Sequence, residues 1–498
     1  GMDTLRGAGF TDAEVAQFAA ERGLKRSNFQ LRNLQMGQLG VGAGFRTVGD
    51  EQGSIDWRDL SLNFAGVSVN FTTQVVDQGF SRFNDIAEQD RQQLARERGL
   101  ERTALSVNGS TGFGQFQLSQ LGVNTQGGSG LHRRSFQFTN GGLQLGWTDQ
   151  HVEEGFARFA DLREEDRQQL SREVGLRRES YTFSLKGAVQ LAYRAGTIRS
   201  DLGRFNSDAF DLNAGPFSIT HRRLDADERF ARMESMNGGE LAAYVQDVAT
   251  MMGPGVQPHG NDARTFLNGA GIQRDFWGGH YQMTREGQLR ASWFRAENGN
   301  GGVSVRSASL QTPNISVSVR DQRTDDAFDG GRALTQTEQQ ILGTDPGLNR
   351  TNFDLSANLG GRTLQFSSLQ ADDLNGRLHR QFLNYKDKNL SILYRQRGVD
   401  SEFRSFNSLN DGERDLLSGL RGRDQSELNV NWALTRNLGL EYSSVGGIQE
   451  DGVTQYGTEN LQANFTLDGM TKFGLQLWSN GRFDPTATFI DQTYQRLQ

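Results

Sequence analysis

The sequence of 498 residues predicts an all-β chain with short helical insertions, about 24 antiparallel strands in up-and-down order forming a barrel of roughly 76-residue repeats. Three observations predict it. A Phe-rich helical segment returns at a fixed interval, the apolar residues between its copies alternate with period two, and tight turns alternate with long connections.

The helical segments lie at 9–24, 77–100, 153–176, 226–250, 325–348 and 400–422. Gly23-Leu24, Gly99-Leu100 and Gly175-Leu176 recur at intervals of 76 residues. Phe156, Phe159, Leu162, Asp166, Arg167 and Leu170 repeat Phe80, Phe83, Ile86, Asp90, Arg91 and Leu94 one for one. A fifth copy keeps Phe328, Leu334, Glu338, Leu342 and Gly347-Leu348; a sixth keeps Phe403, Phe406, Leu409, Glu413, Arg414 and Leu417. Phe230, Met233, Met236 and Glu240 form a degraded fourth. Apolar steps of three and four followed by Gly-Leu predict a short amphipathic helix stopped by a left-handed glycine. Its Phe and Leu side chains are expected to pin the segment to the sheet, at about 1.5–3 kcal/mol each if buried. The Asp/Glu-Arg pair is expected on a solvated face or in a local ion pair.

Between the markers the alternation predicts strands. Phe29 and Leu31 pair with Leu39 and Val41 across the segment RNLQMGQ; a longer Gly-rich loop follows, and then Leu60, Leu62 and Phe64 pair with Val67, Val69 and Phe71 across Ala65-Gly66. The next hairpins run from Phe136 and Phe138 through TNGG to Leu143, Leu145 and Trp147, and from Tyr181, Phe183 and Leu185 through Lys186-Gly187 to Val189, Leu191 and Tyr193. Phe210 and Leu212 turn through NAGP to Phe217 and Ile219. Residues 251–280 break the pattern and are expected to form a unit-specific loop. Strands resume at Tyr281 and continue to the last pair, ELNVNWALTRNLGLEYSS and LQANFTLDGMTKFGLQLWS.

Composition narrows the function classes. Hydrophobic residues make up only 35%, with Gly 61, Pro 6, Phe 32 and Cys 0. No apolar run approaches the roughly 18 residues of a helical membrane span. The absence of cysteine removes disulfides, thiolate catalysis and cysteine metal sites together. A net charge of −7 and pI near 5.6 argue against a nucleic-acid partner. The first residues carry no signal peptide and begin inside a repeat, so the chain is expected to be a segment of a longer precursor.

With one rim of tight turns, one rim of long connections and alternating faces, the plan resembles that of bacterial outer-membrane β-barrel proteins of the porin kind, most closely over residues 428–444. The resemblance implies a lipid-facing exterior, a polar lumen, small polar solutes as cargo and no enzymatic role. Counted outward from each tight turn, Phe71, Trp147, Tyr193, Trp293, Tyr394 and Tyr442 hold one level, as an interfacial girdle would. Gln144, Ser184 and Gln190 fall on the other side and suit a wet interior. Against a barrel, the alternation covers about five residues per arm, roughly 17 Å, where a lipid band of about 25 Å asks for 9–11 residues. Arg177 and Glu179 also fall on the face of Tyr181 and Phe183. The alternative is a soluble secreted or periplasmic repeat scaffold, each unit laying its apolar face on a helical segment or forming a propeller-like blade.

No catalytic, cofactor-binding or metal-binding residue is assigned. His132, His151, His221, His259, His280 and His379 lack an acidic partner at metal-site spacing. The sequence DDAFDG at 325–330 has Ala327 where a calcium loop needs an oxygen ligand. The glycines of 109–114 sit in a predicted hairpin turn, away from any helix start. Carboxylates such as Glu153-Glu154 and those of 225–228 are expected on a solvated rim. The expected function is a pore for passive or gated passage of polar solutes, with the helical segments covering or narrowing one mouth.

Overall fold

The computed structural model describes residues 2–481, apart from 21, 87, 163–166, 168–169, 171–172, 231–235, 237, 254, 268–269, 329–333, 343–344, 410, 450–454 and 468–470, together with 494–497. It is all-β with a few short helices. Through residue 481 the described residues form 24 strands in up-and-down order, and strands 1 to 10 and strands 12 to 24 each pair antiparallel with their sequence neighbours. They divide into two compact units, Gly1–Phe210 with Arg229–Met236, and Asp211–Glu228 with Asn237–Gln498.

In the first unit β1 (Lys25–Met36), β2 (Leu39–Gly49), β3 (Ser54–Phe64) and β4 (Val67–Val76) make the first repeat. β5 (Leu100–Thr111), β6 (Gly114–Thr125), β7 (Gly130–Asn140) and β8 (Leu143–Val152) make the second, and β9 (Leu176–Leu185) and β10 (Val189–Ser200) open the third. The β3–β4 turn is Ala65-Gly66, with φ of 48° and 82°. Positive φ at both positions matches the twist of the two strands, which is why a two-residue hairpin suffices there.

Strand lengths depart from the sequence expectation. The strands run 10 to 13 residues, enough for a bilayer-crossing strand, because polar residues continue each ladder beyond the apolar alternation. The segment RNLQMGQ is mostly strand. β1 continues to Met36 across a bulge between Leu31 and Leu34, leaving Gly37 and Gln38 as the turn. The longer Gly-rich loop contracts to 50–53, since the glycines up to Gly49 belong to β2. Short connections therefore occur at both ends, and the helical segments follow every fourth strand.

Each helical segment folds back over the strand ends and builds a local core. In the first repeat Val48, Ile55 and Val76 bury against Phe80, Ile86 and Leu94. In the second, Leu100, Val123, Leu131 and Val152 take Phe156, Leu162 and Leu170. In the second unit Leu348, Leu369, Leu378 and Val399 take Phe403, Leu409 and Leu417. The two phenylalanines of a segment meet edge to face: Phe80–Phe83 at 5.0 Å, Phe156–Phe159 at 5.0 Å and Phe403–Phe406 at 5.1 Å. The segments end at left-handed glycines, Gly99 (φ 76°), Gly175 (φ 73°) and Gly347 (φ 71°), at the expected Gly-Leu pairs, but in a separate turn that leads into the next strand and not as the stop of a helix, since Glu88–Arg96 and Gln336–Leu342 end earlier. Gly422 (φ 67°) plays this part in the sixth copy, three residues beyond the Gly419-Leu420 pair.

Arg91, Arg414 and Glu413 of the Asp/Glu-Arg pairs do not form a solvated face; Asp166 lies outside the described residues. Arg91 donates to the carbonyls of Asn84 (2.9 Å) and Ile86 (3.3 Å), and Arg414 to those of Phe406 and Leu409 (both 3.2 Å), closing the turn that precedes each helix. Glu413 is buried and receives Arg350 at 2.9 Å. Successive segments also interlock: Arg82 reaches the carbonyl of Arg22 at 2.5 Å, and Arg158, one period on, reaches those of Arg98 and Arg96.

In the second unit β12 (Phe217–Ala226) and β13 (Gln273–Gln282) flank a longer insertion. Its helices are α1 (Gly238–Met252) and α2 (Asp262–Leu267), so 251–280 is not one loop. Residues 273–280 are strand. Phe276 is buried and Trp277 exposed on opposite sides of the strand, and an aromatic doublet shows no period of two. Met233 of the degraded fourth copy lies outside the described residues.

Candidate functional site

The candidate site is the pair of faces that the strands present. Along β8, Leu143, Leu145 and Trp147 point to one side, with Gln144, Gly146, Thr148, Gln150 and Val152 on the other. Pairing carries the division across the first unit. Leu145 lies opposite Phe138 and Phe183, Phe183 opposite Tyr193, Trp147 opposite Phe136 and Tyr181, and Phe71 opposite Leu60 and Leu105. Gln144 lies opposite Ser184, whose hydroxyl donates to its carbonyl at 3.3 Å. Gln190, between Val189 and Leu191, falls on this polar side.

The second unit repeats the arrangement. Trp277 lies opposite His221 and Trp293, Tyr281 opposite Phe217 and Leu289, Tyr394 opposite Leu383 and Leu428, and Val430 opposite Ile392 and Tyr442. On its polar side the Ser292 and Ser307 hydroxyls meet at 2.6 Å. The six aromatics of the expected girdle thus lie on the apolar face of their own unit. A second aromatic row, Phe64, Phe217, Tyr281, Tyr385 and Trp432, stands at the tight-turn ends. Counting from the helical ends would have found it.

Exposure is inverted relative to a water-soluble sheet. The apolar face is open, with Phe64, Tyr181, Leu185, Val189, Tyr193, Phe217, Trp277, Tyr281, Leu289 and Trp432 among its exposed side chains. The helical segments cover the other face. Val76, Val152 and Val399, at the ends of β4, β8 and β20 (Leu390–Val399), share the polar side and are buried beneath them. The soluble-scaffold expectation, a helical segment on each apolar face, is not what the chain builds. Its segments take the face on which Ser, Thr and Gln give way to Val and Leu near the strand ends.

The apolar belt stops partway up each strand. Above Trp147 and Tyr181 the same face carries Asp149, Glu179 and Arg177, with Arg177 bound to Asp149 at 3.2 Å and Glu179 at 2.8 Å. In the second unit Asp275 and Arg295 follow Trp277 and Trp293.

Several carboxylates at the helical end hold the fold, while Glu154 and Glu228 are exposed as expected of a solvated rim. In four of the segments the first acid accepts a strand N–H: Asp77 from Ser54 (2.8 Å), Glu153 from Gly130 (2.9 Å), Asp325 from Gly302 (2.8 Å) and Asp400 from Arg377 (2.8 Å). Asp325, which opens the DDAFDG stretch, is therefore a structural cap. In the short connections Asp50 accepts from Gln52 and Gly53, and Asp373 from Asn375, Gly376, Arg404 and Ser405. Burial opposes ionisation of Asp373, and its four backbone donors outweigh that, holding the carboxyl below the ordinary aspartate range. Asp50 is lowered in the same way. Gln74–Glu97 and Gln150–Glu173 tie strand ends to segments at the repeat interval.

The deepest polar contact was not legible in sequence. Arg274 of β13 makes a two-pronged bond to Glu338 (2.6 and 3.0 Å), and Thr335 donates its N–H to the same carboxylate at 2.6 Å. Arg274 is 2% exposed and Glu338 0%. Two histidine rings meet an acid across the sheet: His221 meets Asp275 at 3.2 Å on the paired strand, and His379 meets Asp424 at 3.6 Å across one intervening strand. Among the described residues no three His, Asp or Glu side chains converge as a metal site requires, and no helix is long and apolar enough to cross a membrane.

No protein-family model matches the chain, and no curated protein matches it. Solved structures similar to it include the outer membrane protein OprD from Pseudomonas aeruginosa, at 10% identity over 74% of this chain and 91% of that one with a TM-score of 0.22. Pseudomonas aeruginosa OpdL is similar at 10% identity over 77% of this chain and 92% of that one, TM-score 0.21. A mutant Rh. blastica porin is similar at 8% identity over 58% of this chain and 90% of that one, TM-score 0.22. These values are too low to carry a function from those proteins to this chain.

Proposed function

We propose that the chain is a non-enzymatic outer-membrane β-barrel, one repeat-built domain through which polar solutes pass, passively or under gating. The observation that carries the proposal is the inversion of the sheet: the apolar side faces outward without cover, and the helical segments occupy the polar side. An exposed apolar face of this extent is unfavourable in water and favourable against hydrocarbon. The alternating Gln, Ser and Thr of the other side suit a wet lumen. Its partners are the lipid bilayer and small polar solutes, and the helical segments narrow one mouth.

Two measurements test this. The purified chain should stay monodisperse only in detergent or lipid, and added to a planar bilayer it should give discrete conductance steps. A chain that elutes as a soluble particle in plain buffer overturns the membrane assignment. One that inserts without conducting is an anchor and not a pore.

A further inference from the structure

The apolar belt is much shorter than the strands that carry it, and its two limits are marked by residues. On β8 it runs from Leu143 to Trp147 and gives way to Asp149; on β9 from Leu185 to Tyr181 and gives way to Glu179 and Arg177. In the second unit it runs from Tyr281 to Trp277 before Asp275 on β13, and from Leu390 to Tyr394 before Gln396 on β20. Five residues of extended chain span about 17 Å along the strand, and less in height once a strand tilts by some 35–45°.

Beyond the upper limit the charges are built in. Arg177 is bound to both Asp149 and Glu179, and Arg295 to Glu297 at 2.5 Å. This row belongs among headgroups, where its guanidinium and carboxylate groups can meet charges of both signs. At the lower limit the strands end in turns such as Ala65-Gly66 and 141–142. On these strands neither side is extended by apolar residues, whereas β2 carries Leu39, Val41, Ala43 and Phe45 on one side and the β5–β6 turn exposes Phe113. The helical segments, which start above the charged row, therefore stand outside the hydrocarbon.

We propose that this face is matched to a thin hydrocarbon layer, its preferred neighbours being phospholipids with acyl chains of about ten to twelve carbons, rather than chains that build the usual core of about 30 Å. The proposal rests on the membrane reading above and adds the lipid class to it. Trp147, Trp277, Trp293 and Trp432 all lie on the belt, so they report on the lipids touching it.

The experiment is tryptophan quenching of the full chain in vesicles of brominated phosphatidylcholine diluted with plain phosphatidylcholines of ten to eighteen carbons, giving the relative affinity for each chain length. The expected result is a maximum at twelve carbons or fewer, with at least a twofold fall by eighteen. A maximum at sixteen or eighteen carbons overturns the thin-layer proposal and leaves the membrane reading standing. Absence of quenching at every length means that protein or water covers this face, which overturns both.

Discussion

Trp277 and Phe276 are consecutive residues of β13 turned to opposite sides of the sheet: Trp277 is 47% exposed beside His221 and Trp293, and Phe276 is 6% exposed opposite Arg222 and Phe294. One aromatic ring is exposed on the apolar face, 4.2 Å from the His221 ring between centroids, while its neighbour is buried. Phe71 and Val76 repeat the opposition along β4, five residues apart and on opposite sides. A one-residue slip in register would exchange the two faces, so the strand order and the face assignment stand or fall together.

Neighbouring positions of β9 should respond differently to charge. Phe183→Arg puts a guanidinium at the middle of the belt and should cost about 2–4 kcal/mol in a bilayer. Ser184→Arg, on the polar side, should stay within about 0.5 kcal/mol. Denaturant unfolding of vesicle-embedded protein measures both. Equal and small effects would mean that Phe183 faces water.

The helical caps should fail locally. Phe403 is fully buried among Leu378, Val399 and Leu409 and meets Phe406 edge to face. Phe403→Ala should cost about 3–5 kcal/mol. Amide exchange should rise through 400–422, with the first unit unchanged, and exchange resolved by segment checks this.

The buried pair of Arg274 and Glu338 should behave asymmetrically. Removing one partner, as in Arg274→Met or Glu338→Gln, strands the other group away from water and should cost about 3–5 kcal/mol. Replacing both with methionine should recover part of the loss. A double-mutant cycle reads the coupling, and simple additivity would show that the two side chains act independently.

Acid should loosen the short connections at the helical end. Asp373 has a folded pKa below its unfolded value of about 3.9. Its contribution is therefore fully present above that value and disappears as the pH falls through the lower, folded one. Asp373→Asn should be less stable than the parent at pH 7 and should lose part of the parent's dependence on pH below about 4. Unfolding midpoints between pH 2 and 7 test this, and identical profiles for the two proteins would contradict it.

Much of the fold was legible because the repeat prints each local signal several times. Gly99, Gly175 and Gly347 turn the chain into the next strand where the Gly-Leu pairs stand, although the helices Glu88–Arg96 and Gln336–Leu342 end a few residues earlier, and the alternation of Leu143, Leu145 and Trp147 gave the correct face. Strand length was underestimated because Asp149 and Gln150 continue the ladder without an apolar signal. The roles of Glu153 and Arg274 were hidden for another reason. Each bonds to a group that only chain reversal brings near, across separations of 23 and 64 residues, so no local spacing encodes it. The same holds for the side on which the caps pack, which depends on Val76 and Val152 lying among polar neighbours.

The absence of cysteine allows the central claim to be tested directly, by single cysteines placed in turn at 143–150 along β8 and spin-labelled in bilayers. Positions 143, 145 and 147 should be open to dissolved oxygen and closed to an aqueous nickel chelate, while 144, 146 and 148 show the reverse and 149 is wet. Loss of the alternation, or labels at 143, 145 and 147 shielded from both reagents in a dry protein interior, would contradict the claim that this face meets lipid.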